Sequence, residues 1–210
     1  MVSISKISEV IKNCQDVSVV IFDLDDTLYS EKNYVWSGYG FIAKSFPEIE
    51  NMQAKLWSAF ERKLLAIDTV LQNEGCLEES IKKRCLDIYR NQIPSISLYE
   101  GVEEMFQTLL KRGKRLGLIT DGRVEGQQNK IKSLRLRQWI QEIIITDELG
   151  GLEYRKPNPI AFVEMQKRFN VSFQQMAYVG DNIKKDFIAP KLLGMKSIYF
   201  KNKDGLYYEE

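Results

Sequence analysis

The chain has 210 residues, of which 44% are hydrophobic and 28% charged, and this is the composition of a globular protein, not of a disordered one. Its 30 basic and 29 acidic residues nearly balance, which argues against a dedicated nucleic-acid binder, because such proteins carry a basic excess. The sequence contains no histidine, and this excludes Ser-His-Asp catalysis, Cys-His catalysis and every zinc site that uses imidazole.

The N-terminal segment is predicted to be a short helix and not a targeting signal. It has no long apolar core, and its apolar residues fall at helical spacing: Ile4, Ile7, Val10, Ile11 and Cys14. No apolar run approaches the ~20 residues of a membrane span, and the cysteines form no CxxC pair. We therefore expect a cytoplasmic protein with reduced, buried cysteines, and one that binds neither membrane nor nucleic acid.

Five short β-rich runs are predicted to form strands. These runs are 17–22, 115–120, 142–146, 176–180 and 196–200. Four of them are almost continuously apolar or β-branched, which is typical of parallel strands that are covered on both faces.

Apolar spacing places helices between the later strands. One lies around 102–110, a second covers 158–169, and a third contains Ile183, Phe187 and Leu192. This alternation of strand and helix predicts βαβ units and an α/β fold with a doubly wound, mostly parallel, Rossmann-like sheet.

A long interval without strand-like runs separates the first and second strands. Apolar residues in it step by three or four and predict one long amphipathic helix: Met52, Leu56, Phe60, Leu64, Ile67 and Leu71. A second helix follows around 81–89. Since a βα loop has about 2–6 residues, we expect 30–97 to be an inserted all-helical cap, and 1–29 with 98–210 to be the core. The cap is expected over the site, because open α/β sheets bind ligands beyond the carboxyl ends of their strands.

Acidic and hydroxyl side chains, together with one lysine, follow the ends of the predicted strands. The residues are Asp23, Asp25, Asp26 and Thr27 after the first strand, Thr120 and Asp121 at the second, Lys156 after the third, and Asp181 with Asp186 after the fourth. Because side chains alternate along a strand, Asp23 and Asp25 are expected on the same side, where they converge with Asp181.

Converging carboxylates repel one another, by about 4 kcal/mol for a pair at about 4 Å and an effective dielectric constant of about 20. A cation or a retained proton must offset this repulsion. Each motif alone could be a helix cap, but their coincidence at corresponding strand ends favours a site. The pattern predicts magnesium-assisted phosphoryl transfer, since Mg²⁺ prefers hard oxygen ligands. Lys156 and the Thr120 hydroxyl are expected to bind phosphate oxygens, and an aspartate is the natural nucleophile.

The set of motifs resembles that of the haloacid dehalogenase (HAD) superfamily. The family's DxDx[TV] loop matches Asp23, Asp25 and Thr27, its second-strand Ser/Thr matches Thr120, its motif lysine matches Lys156 in RKPNP, and its GDxxxxD motif matches Asp181 and Asp186. Order and spacing agree over roughly 18–200, and the helical insertion resembles the family's C1-type cap.

The resemblance implies that Asp23 attacks phosphorus, and that Asp25 protonates the leaving oxygen and later activates water. It also implies that Asp23, Asp181 and the backbone carbonyl of Asp25 hold Mg²⁺, while Asp186 supports the metal or its waters. The dehalogenases of the superfamily lack the second aspartate, so Asp25 favours phosphate chemistry. Asp121 stands where many relatives have asparagine, and we leave it outside the expected site.

We expect a phosphoric monoester hydrolase that acts, as a monomer or weak homodimer, on a small phosphorylated metabolite such as a sugar phosphate or nucleoside monophosphate. The alternatives are a HAD-type phosphomutase and a non-catalytic phosphate-binding or signalling domain. Within the cap, Tyr34, Trp36 and Tyr39 are expected to select the substrate, although aromatic residues in a small lobe are more often core. Glu148 is a weaker candidate for orienting Lys156, and the tail 201–210 is expected to be a surface extension.

Overall fold

The computed structural model describes residues 1–208 and contains one parallel sheet. Its strands are β1 (Val2–Ile4), β2 (Val19–Phe22), β3 (Arg115–Thr120), β4 (Glu142–Ile145), β5 (Met176–Gly180) and β6 (Lys196–Phe200). They lie in the order β1-β6-β5-β2-β3-β4, and each neighbouring pair is parallel. The predicted fold class is confirmed.

Helices flank the sheet and fill the interval between β2 and β3. The α-helices are α1 (Val10–Asn13), α2 (Glu31–Ser45), α3 (Met52–Glu61), α4 (Ala66–Asn73), α5 (Glu79–Asn91), α6 (Val102–Lys111), α7 (Val124–Ser133), α8 (Ile160–Phe169) and α9 (Ile188–Leu192). Within residues 1–208 no helix combines the length and the apolar character that crossing a membrane requires.

The central strands are buried on both faces. Every residue of β2 and of β5 is buried, which agrees with their unbroken apolar sequences. On one face they pack against a cluster that includes Phe162, Met165 and Phe169 of α8. Full burial of each such side chain contributes about 1.5–3 kcal/mol to folding, so the sheet is a rigid platform for the loops at its carboxyl edge.

The chain divides into two compact units, Met1–Glu31 with Ser97–Glu210, and Lys32–Ile96. The first unit contains the sheet. The second is helical and has a core of its own, in which Ile42, Leu56 and other apolar residues of its helices are buried. The division falls close to the insertion predicted at 30–97.

The single long helix predicted over 52–71 is wrong. Helix α3 ends at Glu61 and α4 begins at Ala66. Between them Lys63 has φ 58°, in the left-handed region that a right-handed helix does not contain. Leu65 is 75% exposed, so the chain turns here, although the apolar spacing continues through the turn.

The N-terminal prediction also fails at its start, because Val2–Ile4 forms strand β1 on the edge of the sheet beside β6. The helix predicted around Phe187 is reduced to the short α9, and Leu192 is 79% exposed. The residues before α9 form a tight loop instead, in which the carboxylate of Asp186 accepts a hydrogen bond from the backbone N–H of Asn182 at 2.9 Å.

Candidate functional site

The carboxyl ends of β2 and β5 meet where the strand order reverses. From β2 the chain continues to β3 and β4 on one side, whereas β5 and β6 lie on the other. The register pairs Phe22 with both Leu118 and Val179, and the backbone N–H of Asp23 donates to the carbonyl of Val179 at 2.8 Å. Asp23 therefore lies beside the loop that carries Asp181, at the crevice where open α/β sheets bind ligands.

Three buried carboxylates form a group in this crevice. Asp23, Asp181 and Asp186 each place one oxygen within 4.8 Å of the others. Asp186, for which the resemblance implied a supporting role, lies within the group itself. A Cβ on Gly180 would come within 2.5 Å of Oδ2 of Asp186, so the glycine makes room for that carboxylate.

Lys156 is the cation of this group, and its side chain is fully buried. Its Nζ lies 2.6 Å from Oδ1 of Asp23 and 2.9 Å from Oδ1 of Asp186, and it also donates to the Tyr178 hydroxyl at 2.8 Å. Burial lowers the pKa of Lys156, but the carboxylates of Asp186 and Asp23 outweigh burial and hold that pKa well above its ordinary value. The ammonium therefore stays charged.

The surroundings nevertheless oppose ionisation of all three carboxylates together. Burial raises the pKa of Asp23 against the opposing attraction of Lys156. Burial, with repulsion from Asp23 and Asp186, also raises the pKa of Asp181, although the Thr27 hydroxyl donates to its Oδ1 at 3.0 Å. One ammonium does not balance three carboxylates, so the site favours a further cation.

The Asp25 carboxylate lies outside this group, contrary to the expectation that it converges with that of Asp23. Its Oδ1 is 2.7 Å from Nζ of Lys130 and accepts a hydrogen bond from the Tyr29 hydroxyl, and its Oδ2 accepts one from Nε2 of Gln127 at 3.0 Å. Burial raises the pKa of Asp25, but Lys130 and the other donors reverse the shift and lower that pKa overall.

Thr120 is buried at the end of β3, where its hydroxyl accepts a hydrogen bond from Gln127. The next residue, Asp121, turns toward neighbouring loops. Its Oδ1 accepts from the Thr146 hydroxyl and from the backbone N–H of Lys156, both at 3.0 Å, and its Oδ2 lies 3.1 Å from Nζ of Lys185. Asp121 therefore ties the loop of Lys156 to the end of β3, a role that its place in the sequence did not indicate.

Asp26 points away from the carboxylate group and anchors the C-terminal tail. Its backbone has φ 53°, and its Oδ1 accepts from the backbone N–H of Glu31 at 2.9 Å. Its Oδ2 accepts from the backbone N–H of Leu206, and its carbonyl from Nδ2 of Asn202, both at 2.7 Å. The predicted surface extension is confirmed for most of the described tail, which is exposed, but Asn202 is buried and anchors it; residues 209–210 lie outside the described part of the chain.

Sequence reasoning missed the contribution of α7. Gln127 and Lys130 are three residues apart, so they share one helix face, and both reach Asp25. The apolar residues Ile131 and Leu134, three positions apart, could have indicated that one side of α7 is buried. Polar residues next to such apolar positions are usually solvated, so this spacing did not point to Gln127 and Lys130. Glu148 is exposed and accepts a hydrogen bond from Gln128.

The three aromatic residues predicted to select the substrate have different environments within the helical unit. Tyr34 and Tyr39 are buried, and both rings contact that of Tyr89. Trp36 is 45% exposed and packs edge-on against Trp57. Tyr34 and Tyr39 therefore contribute to the interior of this unit, whereas Trp36 presents part of its indole to solvent.

Known proteins are similar to this chain to different extents. The phosphatase of glyceraldehyde 3-phosphate from Pyrococcus abyssi is 37% identical over 101 residues, which are 48% of this chain and 41% of the relative. The phosphoglycolate phosphatase of Xanthomonas campestris pv. campestris is 27% identical over 191 residues, 85% of this chain and 80% of that protein. The chain thus spans less than half the length of the Pyrococcus relative that it matches.

Among solved structures, a HAD-superfamily hydrolase of subfamily IA, variant 1, from Geobacter sulfurreducens superposes with a TM-score of 0.65 at 15% identity, over 88% of this chain and 87% of that one. This likeness shows the fold alone. The family model of the haloacid dehalogenase-like hydrolases matches residues 20–200. Because this match covers most of the sequence and includes each strand end of the site, the chain belongs to the haloacid dehalogenase-like hydrolase family.

Proposed function

We propose that the protein is a Mg²⁺-dependent phosphatase that hydrolyses a small phosphorylated metabolite through an aspartyl-phosphate on Asp23. The observation that carries the proposal is the buried contact of 2.6 Å between Nζ of Lys156 and Oδ1 of Asp23, beside the carboxylates of Asp181 and Asp186. This arrangement supports the roles that we propose: Asp23 as nucleophile, Lys156 as phosphate-binding cation and the neighbouring carboxylates as metal ligands. The relatives named as phosphatases support a small phosphorylated substrate.

The donor set fits magnesium. Carboxylate oxygens are hard ligands of the kind that Mg²⁺ prefers, and a divalent cation would offset the repulsion among the three carboxylates. Asp23, Asp181 and the backbone carbonyl of Asp25 would hold the ion, with Asp186 beside them. When bound, the ion would neutralise charge that develops on the transferring phosphoryl group.

The side chains would then share the chemistry of two steps. A carboxylate oxygen of Asp23 forms a bond to phosphorus while the bond from phosphorus to the leaving oxygen breaks, and the leaving oxygen keeps that electron pair and takes a proton from Asp25. In the second step water attacks phosphorus, Asp25 takes a proton from the water, and the bond between phosphorus and Asp23 breaks to release inorganic phosphate. Lys156 and Thr120 bind the other phosphate oxygens.

We assign the helical unit Lys32–Ile96 to substrate selection. In the sequence it is inserted a few residues after Asp25 and ends before β3. An inserted lobe that closes over phosphate excludes water and restricts access to small molecules. Among the three aromatic residues expected to select the substrate, Trp36 is the exposed one, and we propose it as the candidate for contact with the substrate.

The test is phosphate release from a panel of phosphorylated metabolites that includes glyceraldehyde 3-phosphate, phosphoglycolate, sugar phosphates and nucleoside monophosphates. We expect turnover that depends on Mg²⁺ and is lost in Asp23→Asn, since an amide is a poor nucleophile and a weak ligand. Asp25→Asn should reduce turnover by about 10²–10⁴-fold, the usual contribution of acid–base catalysis. Wild-type turnover in Asp23→Asn would overturn the covalent mechanism, and recovery of an isomeric phosphate ester in place of inorganic phosphate would identify a phosphomutase.

A further inference from the structure

Lys130 is a buried cation that the four family motifs do not contain. It lies in α7, and its side chain is 8% exposed. Burying an ammonium removes it from water and costs several kcal/mol unless an anion compensates. Asp25 supplies a compensating anion, since its Oδ1 lies 2.7 Å from Nζ of Lys130, and the Glu31 carboxyl also interacts electrostatically with this ammonium.

Both carboxylate oxygens of Asp25 accept hydrogen bonds from neighbouring side chains. Oδ1 accepts from Lys130 and from the Tyr29 hydroxyl, and Oδ2 accepts from Gln127. The terminal torsion of an aspartate is broad and has no sharp minimum, so a carboxylate without such contacts samples many orientations. Donors on both oxygens define the plane of the carboxylate, and two of these donors come from one face of α7.

Orientation matters for a group that exchanges a proton with a substrate. Catalytic side chains must be held within about 0.5 Å and about 10–20° of the productive geometry. With two donors on Oδ1 and one on Oδ2, the oxygen with more acceptor capacity left for a substrate is Oδ2.

We propose that Lys130 is a positioning residue for Asp25, and that its ion pair with Oδ1 directs Oδ2 toward the leaving oxygen of the substrate. The inference rests on the proposed phosphatase activity. For the first step Asp25 takes a proton from solvent on Oδ2 while Oδ1 keeps its contacts with Lys130 and Tyr29, and Oδ2 gives that proton to the leaving oxygen as the phosphorus–oxygen bond breaks. In the second step Oδ2 takes a proton from the attacking water. Lys130 itself transfers no proton.

The proposal predicts a dependence on the leaving group. An alkyl phosphate such as β-glycerol phosphate needs a proton on its leaving oxygen, whereas para-nitrophenyl phosphate releases a stable phenolate without one. The ratio kcat/KM reports the steps up to the first bond cleavage, so it isolates this difference. Lys130→Met should lower kcat/KM for β-glycerol phosphate by about 10–100-fold, the usual effect of removing a residue that supports a catalytic group, and for the aryl ester by a few-fold at most.

Lys132→Met is the matched control, because Lys132 lies on the same helix and is exposed; it should leave kcat/KM unchanged for both esters.

A double-mutant cycle provides a second test of the positioning role. In an Asp25→Asn background, Lys130→Met should have little further effect on β-glycerol phosphate, since residues that act through one another are not additive. Thermal unfolding of each variant checks that it is folded. If Lys130→Met does not fold, Tyr29→Phe removes a donor to the same oxygen, and it should show the same leaving-group pattern.

Equal losses on both esters would overturn the positioning role and show that Lys130 serves stability. A full additional loss in the Asp25→Asn background would overturn it as well, in favour of direct contact between Lys130 and the substrate. Failure of the wild-type protein to release phosphate from either ester, with the metabolite panel also negative, would instead overturn the proposed function on which the inference rests.

Discussion

The backbone N–H of Lys156 donates a hydrogen bond of 3.0 Å to Oδ1 of Asp121. The two residues follow neighbouring strands, β3 and β4, so the contact joins two loops at the carboxyl edge of the sheet. The same oxygen accepts from the Thr146 hydroxyl, and Oδ2 pairs with Lys185. Asp121 thus holds the loop from which the ammonium of Lys156 reaches Asp23.

Asp121→Ala is expected to lower kcat/KM by about 10–100-fold, because it releases the loop that places Lys156. Asp121→Asn is the matched control and should lose much less, since an amide oxygen still accepts from the backbone N–H of Lys156. Steady-state kinetics on the best substrate of the panel measures both. Equal kcat/KM values for wild type and Asp121→Ala would show that the loop is held without this carboxylate.

Asp181→Ala is expected to abolish most of the stabilisation that Mg²⁺ gives to the folded protein. In the wild type Mg²⁺ should raise Tm, because a ligand that binds only the folded state stabilises it by RT ln(1 + [L]/Kd). Without metal, Asp181→Ala should unfold at the same temperature as the wild type or a higher one, since burial and repulsion from Asp23 and Asp186 oppose the ionised Asp181 carboxylate.

Thermal unfolding with excess chelator and with added Mg²⁺ measures both effects of Asp181→Ala. Asp204→Ala, which alters an exposed acid in the tail, should behave as the wild type does. An undiminished rise in Tm on adding Mg²⁺ to Asp181→Ala would place the metal elsewhere. Asp186→Ala should also weaken the response to Mg²⁺, since Asp186 lies within the group.

Trp36→Ala is expected to change the substrate preference without impairing hydrolysis of a small generic phosphate ester. If the helical unit selects the substrate, kcat/KM for the best metabolite should fall about tenfold, equivalent to about 1.4 kcal/mol, while kcat/KM for para-nitrophenyl phosphate changes little. Leu65→Ala, at another exposed position of the same unit, is the control. Equal losses of kcat/KM on both substrates would show that Trp36 does not contribute to substrate selection.

Tyr39→Ala, by contrast, should act on stability. The residue is buried among Phe60, Tyr89 and the apolar core of the helical unit, and removal of a large core aromatic costs about 3–5 kcal/mol. Urea unfolding should therefore show a clear loss for Tyr39→Ala and little change for Trp36→Ala. Unchanged stability in Tyr39→Ala would mean that its ring does not support the core.

Asn202→Ala is expected to destabilise the core unit and to loosen the loop after β2. The Asn202 amide donates to the carbonyl of Asp26 at 2.7 Å and to the Tyr99 hydroxyl at 2.8 Å. Loss of a buried donor that serves such acceptors costs about 1–3 kcal/mol. Lys203→Ala, at an exposed neighbour, should stay within about 0.5 kcal/mol of wild type by urea unfolding; equal values for both variants would contradict the anchoring role.

Most of the parallel sheet could be predicted from local sequence. Val19–Phe22 and Met176–Gly180 are continuous apolar runs, which are typical of buried parallel strands. Because parallel strands align their carboxyl ends, the residues that follow them meet at one edge of the sheet. Strand alignment therefore brings Asp23 and Asp181 together, and it places the loop of Lys156 at the same edge of the sheet.

The direction of each side chain beyond a strand end does not follow in this way. Strand β2 ends at Phe22, and Asp26 has a left-handed backbone, so the alternation expected to align Asp23 with Asp25 stops before it reaches Asp25. The Asp25 carboxylate turns instead to Lys130, which is 105 residues away in the chain. No local pattern encodes a contact over such a separation.

The C-terminal tail also makes contacts that no local sequence pattern predicts, since Asn202 and Leu206 donate hydrogen bonds to Asp26 near the other end of the chain. The sequence by itself determined five of the six described strands, the order of the motifs along the chain and the sheet edge at which the motif residues lie, because these depend on periodicity and on strand direction. Only the tertiary structure decided which carboxylates share a cation and which loops hold them, because a buried charge or donor is oriented by whichever partner the fold brings within about 3 Å.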